Sequence, residues 1–346
     1  MRKLWAVSAV FALIAAGCGG GGGGEGGGEQ VTITFVSYGG AYQEAQTKAW
    51  LDPFMEANPN IKIVQEEPID YAKLVAMVES GNVTWDVVDV GNDFGLASDE
   101  QYLEPIDCSI VPCDELRPDL FPTTGYRVPD IIYSVVVAYR TDAFDQPPTS
   151  FADFFDTERF PGKRGCFNWS AGGLLEMALL ADGVPPDQLY PLDLDRAFAK
   201  LDTIKDDCVW WDTGAQSVQL LADNEVPMGM SWNGRIYDIQ QEGAPVEIMW
   251  DQHIATADYL VIPKGTRNLE AAQQLVAWIT SAEHNAELTK YITYAPPNEN
   301  AVDAVDPTKV DDLPTTYLDT AIGFDDAWWD ENFDAVDTRW QEWIQA

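Results

Sequence analysis

Val31, Ile33 and Phe35 alternate with Thr32 and Thr34, the two-residue period of a half-buried strand. A helical pattern follows, predicted from Ala41 to about Ala57 and ended by Asn58-Pro59-Asn60. "IKIVQEE" predicts a second strand, Tyr71 to Ser80 a helix broken at Gly81-Asn82, and "WDVVDVG" a third strand. The apolar run from Ile131 to Tyr139 is longer than a typical strand, as expected of a segment that crosses between two lobes. A second series starts at "PTSFADFF": strand "RGCFNW", helix from Gly172, strand "DDCVWW", helix from Thr213, strand "VPMGMSW", helix from Asn233 and strand "VEIMW". "ADYLVIP" reads as a further strand, and Asn268 opens a helix to Thr280 with Ala271, Ala272, Leu275, Val276 and Ile279 at helical spacing. Strand and helix in alternation predict an α/β protein with mostly parallel sheets. The tail, "DDAWWDENFDAVDTRWQEWIQA", predicts a helix whose Trp328, Trp329, Trp340 and Trp343 are available for packing.

The first residues do not fit this pattern. Arg2 and Lys3 precede an apolar run, Leu4 to Ala16, that is too short for an ordinary membrane span and reads as an export signal. It closes on Ala15-Ala16-Gly17-Cys18, which resembles a bacterial lipobox with Cys18 as the lipidated residue, although Ala15 stands where leucine is usual. A plain secretory signal is the alternative. Residues 1–18 are therefore read as leader and lipobox cysteine, and residues 19–30, nearly all glycine, as a flexible tether.

Export changes the meaning of the other cysteines, since disulfides persist outside the cytoplasm. Cys108, Cys113, Cys166 and Cys208 allow three pairings. Cys108 and Cys113 enclose four residues including Pro112, which favours a local clasp and leaves Cys166 with Cys208; free buried thiols are the alternative. Neither pair has zinc-site spacing, and no metal site or cofactor is expected.

The 346 residues are long for one ordinary domain, so two lobes are expected. With 57 acidic against 20 basic residues the net charge is −37, a field that repels nucleic acid and attracts cations. Acidity that serves only solubility or a saline habitat is the plainer reading. Catalytic signatures are missing. "GMSWNG" has the wrong spacing for a nucleophile elbow, "FPGKRG" departs from a phosphate-binding loop, and "SYGGAYQ" lacks a dinucleotide fingerprint. His253 and His284 are isolated, and no enzyme activity is expected.

Aromatic and acidic residues instead collect at the strand-to-helix turns, where open α/β sheets take ligands: "SYGGAYQ", "GNDFG", "NWSAGG", "WWDTGAQ" and "SWNGR". Rings around a carboxylate make a box for an amine. The stretches "SYGGAYQEAQ", "WDVVDVGND", "YRTDAF", "FPGKRG", "WDTGAQ", "MSWNGRIYDIQQEGAPVEIMW", "DYLVIPKGTRN" and "YAPPNENA" resemble, in order and spacing from about residue 31 to 305, the spermidine/putrescine-type solute-binding proteins of bacterial ABC importers.

That resemblance implies a type II periplasmic-binding-protein-like fold, two-lobed, each lobe a mixed, mostly parallel sheet with flanking helices and a hinge between. Lobe 1 is expected from residues 31–140 plus 257–304, and lobe 2 from 141–256 plus 305–346. It also implies a small-molecule partner, ABC permease subunits, an extracytoplasmic location and, with Cys18, a membrane anchor; a monomer is expected. Trp232 matches a tryptophan on which a polyamine chain packs, Asp258 a carboxylate that pairs with an amine, and Tyr38 the aromatic of the first loop. Ordinary core packing for the rings and a turn role for Asp258 are the plainer readings.

The chain also departs from the polyamine pattern. Ser170-Ala171-Gly172-Gly173 stand where polyamine binders have acidic residues, and Thr256 stands where an aromatic is expected. Arg235 follows "WNG", and a guanidinium repels an amine while gripping a carboxylate in two places; a surface pair with Asp238 or Glu242 is the alternative. Gly39 and Gly40 free backbone N–H groups at a helix start, which would favour a carboxylate. The first reading is thus a polyamine or related small amine, and the second a zwitterionic ω-amino acid such as γ-aminobutyrate held between Arg235 and Asp258. Tyr38, Gly39, Gly40, Asp93 and Asp258 are expected from lobe 1, and Trp169, Ser170, Trp211, Trp232 and Arg235 from lobe 2. A glycan hydrolase is the remaining reading, motivated by the 13 tryptophans and many carboxylates.

Overall fold

A computed structural model describes residues 30–346 except 119 and 122; the expected leader, Cys18 and nearly all of the glycine-rich stretch lie outside the described residues. The chain opens with β1 (Val31–Val36) and α1 (Gly40–Gln46), which widens to a π-type turn over Thr47–Leu51 and resumes as α2 (Asp52–Ala57). The predicted helix is therefore continuous in path but not uniform in winding. Next come β2 (Ile61–Glu66), α3 (Tyr71–Ser80) and β3 (Val87–Val90). Asp70 caps α3 by accepting from the Lys73 N–H, and Gly81 ends it in the left-handed conformation (φ 68°), which glycine adopts without a Cβ clash.

A long strand, β4 (Arg127–Arg140), leads into α4 (Phe151–Phe155), β5 (Arg164–Phe167), α5 (Leu174–Ala181), α6 (Leu194–Leu201), β6 (Cys208–Trp211), α7 (Gly214–Ala222), β7 (Met228–Trp232) and α8 (Asn233–Gln241). The chain then returns along β8 (Val246–Val261) and ends with α9 (Leu269–Thr280), β9 (Ala321–Gly323) and α10 (Asp326–Gln345). "VEIMW" and "ADYLVIP", expected as two strands, are one. Asp251, Gln252 and His253 interrupt the apolar pattern between them, and the strand runs on through them although its register with β4 shifts there, from Val135 opposite Ile254 to Val137 opposite Met249. His253 is buried there without cost in unpaired nitrogens: Nε2 donates to the Tyr317 carbonyl at 2.9 Å, so Nδ1 accepts from the Ser134 hydroxyl at 2.8 Å.

The strand order is β2-β1-β3-β8-β4-β7-β5-β6, with β9 on β8. β4 and β8 pair antiparallel along nearly their whole length, from Arg127 opposite Val261 to Arg140 opposite Val246, with irregularities at Pro129/Ile131 and Val135/Val137. This ribbon carries β3, β1 and β2 at one end and β7, β5 and β6 at the other. The sheet is mixed, since the ribbon's own contacts to β3 and β7 are antiparallel while β1–β2, β1–β3, β5–β6 and β5–β7 are parallel.

Each end has its own core. One gathers Ile33, Trp50 and Phe54 with α9; the other gathers Phe151, Phe154 and α5 with Trp329 and Trp340 of α10. Trp340 is fully buried, edge-on to Trp210 at 5.9 Å, so the tail helix is part of the second core. Cys108 pairs with Cys113 and Cys166 with Cys208; the latter bridge links adjacent strands, β5 and β6.

Arg164 of "FPGKRG" is wholly buried at the start of β5 and donates to the carbonyls of Phe154 (2.7 Å), Gly162 (2.8 Å) and Phe160 (2.6 Å). Burial pulls its guanidinium down to about 10, so it stays charged at neutral pH. Arg164→Met is expected to lower unfolding free energy by about 3 kcal/mol in urea titration, because several buried carbonyls lose their donors together.

Candidate binding cleft

The turns at the ends of β1, β3, β5, β6 and β7 converge on one cavity of about 420 Å³, within the size range of small-molecule sites. Tyr38, Asp93, Trp169, Trp232, Arg235 and Asp258 line it. The other expected positions sit close by but off the wall. Ser170 is buried and donates to Asp337 Oδ1 at 2.8 Å. Trp211 is buried behind the wall, stacked on Phe167 at 4.2 Å and edge-on to Trp232 at 5.5 Å, so it braces two lining rings. Gly39 and Gly40 both have positive φ, and a Cβ on Gly39 would lie 2.3 Å from Glu67 Oε2. The Gly39 N–H bonds the Gln43 side chain at 3.0 Å and is not left facing the cavity.

At one end the wall is aromatic and acidic. Tyr71 donates to Asp93 Oδ1 at 2.9 Å and accepts from the Gly91 N–H at 3.0 Å. A Cβ at Gly91 would come within 2.8 Å of Asp93 Oδ1, so the carboxylate depends on a glycine beside it. Burial raises the Asp93 carboxyl, against the Tyr71 bond that lowers it. Asp258 on β8 is pushed well above the usual carboxylate range, first by burial and then by its neighbours Asp89 and Asp130. Tyr42, Tyr133 and Tyr294 complete this end, with Tyr294 5.5 Å from Tyr42 and 5.8 Å from Tyr133 between ring centres.

The cavity also carries a cation. Arg235, in the first turn of α8, lies with its guanidinium 5.6 Å from the centre of the Trp232 ring. Its Nε is buried without a hydrogen-bond partner, and among the described residues no carboxylate lies within ion-pairing distance of it. The expected alternative, a surface pair with Asp238 or Glu242, is therefore not formed. Arg235 packs against Gly214 so closely that a Cβ there would lie 2.4 Å from Nε and 2.6 Å from the Trp232 ring. On its other side Nη1 is 4.0 Å from the point a Gly40 Cβ would occupy, so the head group stands between turns from opposite ends of the sheet.

Sequence reasoning passed over Tyr42, Tyr71, Tyr133, Tyr294 and Phe324, all of which line the cavity. Tyr42 and Tyr294 lie inside the motifs "SYGGAYQ" and "YAPPNENA", where attention to every ring would have found them. Phe324 comes from the tail, directly after β9, and no local pattern marks it. A further tie fixes the Asp93 loop: Arg127 donates to the Asn92 and Phe94 carbonyls at 2.9 Å and to Asp326 of α10 at 2.8 Å, with its guanidinium 3.8 Å from the Tyr259 ring centre. No group of metal-ligating side chains forms among the described residues.

Residues 49–315 match the family of bacterial extracellular solute-binding proteins. The chain is 33% identical over 321 residues to the γ-aminobutyric acid-binding protein of Pseudomonas aeruginosa, with 90% of each chain covered. It is 26% identical over 276 residues to spermidine/putrescine-binding periplasmic protein 1 of Haemophilus influenzae, covering 77% of this chain and 75% of that one. The solved Atu4243 GABA receptor superposes with a TM-score of 0.85 at 44% identity, over 90% of this chain and 97% of the receptor. The fold is that of type II periplasmic binding proteins. The chain belongs to the bacterial extracellular solute-binding proteins, the ligand-capturing components of ABC importers.

Proposed function

We propose that the cleft captures a zwitterionic ω-amino acid, with γ-aminobutyrate the first ligand to test, in preference to a polyamine. The observation that carries this reading is Arg235: a guanidinium with no ion-pair partner among the described residues, in a cavity also lined by carboxylates and tyrosines. Such a mixture of charges suits a ligand with carboxylate and ammonium at opposite termini, Arg235 gripping the first and Asp258 the second. For a diamine the same guanidinium is repulsive. Of Ser170-Ala171-Gly172-Gly173, which stand where polyamine binders are acidic, Ala171 and Gly172 line the cavity without a carboxylate, and Thr256, in place of an aromatic, is buried off the wall. The similarity to two proteins named for γ-aminobutyrate supports the same choice.

In this reading lobe 1 (residues 31–140 and 257–304) and lobe 2 (141–256 and 305–346) turn about the β4–β8 ribbon and close over the ligand. Closure is favoured only by as much as the ligand binds the shut form better than the open one, so residues from both lobes must reach it. The body works as a monomer, held at the extracytoplasmic face by lipidated Cys18 and the glycine-rich tether, and delivers its ligand to the permease subunits.

Titration calorimetry is expected to show saturable binding of γ-aminobutyrate and much weaker binding of putrescine and spermidine; the reverse order would overturn the reading. Arg235→Ala and Asp258→Asn should each weaken γ-aminobutyrate binding by about 30-fold or more, the cost of leaving a ligand charge unpaired in a desolvated site. Gly214→Ala introduces a Cβ where Arg235 and Trp232 now lie. It is expected to weaken binding by about 10-fold while the unfolding midpoint of the ligand-free protein changes little, since the displaced groups face the cavity.

A further inference from the structure

Behind Asp258 lie two carboxylates that the binding reading does not use. Asp89 on β3, Asp130 on β4 and Asp258 on β8 sit on three neighbouring strands, β3-β8-β4, with Asp258 opposite Ile131 and Asp89 opposite Leu260. Asp89 and Asp130 are wholly buried and Asp258 is 6% exposed. Their hydrogen-bond donors are all neutral. Asp89 Oδ2 accepts from Ser37 Oγ at 3.1 Å and Gln46 Nε2 at 2.5 Å, and Asp130 Oδ2 accepts from the Tyr42 hydroxyl at 3.4 Å. Three further buried acceptors, Asp89 Oδ1, Asp130 Oδ1 and the Gln46 carbonyl Oε1, have no donor among the described residues.

The groups facing this cluster come from every element around it: Tyr38 and Tyr42 from the β1–α1 region, Asp93 after β3, Tyr133 on β4 and Tyr294 after α9. None brings positive charge. Arg235, the cation lining the cavity among the described residues, reaches Tyr294, while the neighbours that shift Asp130 and Asp258 most are the other carboxylates. Three like charges without a counter-ion, in surroundings of low dielectric constant, do not all ionise at neutral pH. A proton is the smallest group that turns one of the bare acceptors into a donor for another.

We propose that Asp89, Asp130 and Asp258 share at least one proton in the ligand-free protein, and that seating a ligand ammonium at Asp258 expels it, so that capture is coupled to proton release. The coupling rests on the amine-bearing ligand proposed above; the shared proton does not. In the step one carboxyl O–H breaks, its proton passes to solvent, and the carboxylate left behind faces the ligand ammonium, which keeps all its protons. Burial raises all three carboxyls, bringing Asp89 up to about 7, which is the direction a retained proton requires. The sign is fixed: at lower pH the proton competes with the ligand. Affinity therefore rises with pH through the cluster's titration, by up to about tenfold per pH unit for one proton released, and levels off above it.

Two measurements on the intact protein test this. Carbon-13 labelling of aspartate follows each carboxyl in the ligand-free state, with Asp89→Asn and Asp130→Asn identifying the signals. At least one of the three is expected to titrate near neutrality, and ionisation of all three by about pH 6 would overturn the proposal. Calorimetry of γ-aminobutyrate binding at neutral pH, in buffers of different ionisation enthalpy, is expected to show net proton release, reduced in Asp89→Asn. Heats independent of buffer would overturn the coupling. If γ-aminobutyrate does not bind, the proposed ligand falls, while the carboxyl titration still decides for or against the shared proton.

Discussion

The pairing of β4 with β8 is the constraint on which the rest of this structure depends. Each strand runs from one core to the other, and every other strand is attached, directly or through a neighbour, to this ribbon. The turns that line the cavity come from β1 and β3 at one end and from β5, β6 and β7 at the other. Without two strands that span both halves, those turns would share no frame. Asp258 and Tyr133 sit on the ribbon itself, between the two sets of turns. The ribbon is thus both the connection between the halves and the floor of the cleft.

The electrostatics of the floor and walls are opposed in a way that suits a ligand with two ends. Carboxylates and tyrosines are gathered where strands β3, β8 and β4 lie side by side, and one guanidinium faces them from α8. Neither end neutralises itself. Arg235 has the Trp232 ring, Tyr294 and the bare backbone of Gly214 for neighbours, and the acidic groups have only hydroxyl and amide donors. Leaving charged groups unpaired in a partly desolvated site costs stability, and binding proteins accept that cost where a ligand will remove it.

Much of this was legible in the sequence, for identifiable physical reasons. Tyr38, Asp93, Trp169, Trp232 and Arg235 fall at ends of strands, and an α/β architecture brings those ends together. The same rule also pointed at Trp211 and Ser170, which lie behind the wall. Adjacent residues in a strand face opposite ways, so Trp210 turns to Trp340 while Trp211 turns to Phe167, and nothing local in "CVWW" says which way the cleft lies. The continuity of β8 was hidden because Asp251, Gln252 and His253 look like a break; only the long-range bonds from His253 to Ser134 and Tyr317 make a polar residue acceptable there. Tyr133, Tyr71 and Phe324 were invisible for a similar reason: a strand interior, a helix start and a tail become one wall only through tertiary packing.

Phe324 ties the cavity to elements far from it in sequence. It directly follows β9, which adds to β8 at His253 to Ala255, and it precedes α10, whose Asp326 holds Arg127 and Asn92 beside the Asp93 loop. One lining ring and the clamp on the acidic loop are therefore supplied by Phe324 and Asp326, the latter 234 residues along the chain from Asn92. One short stretch thus sets a lining ring and the anchor of another wall together, so a change there reaches two sides of the cavity at once.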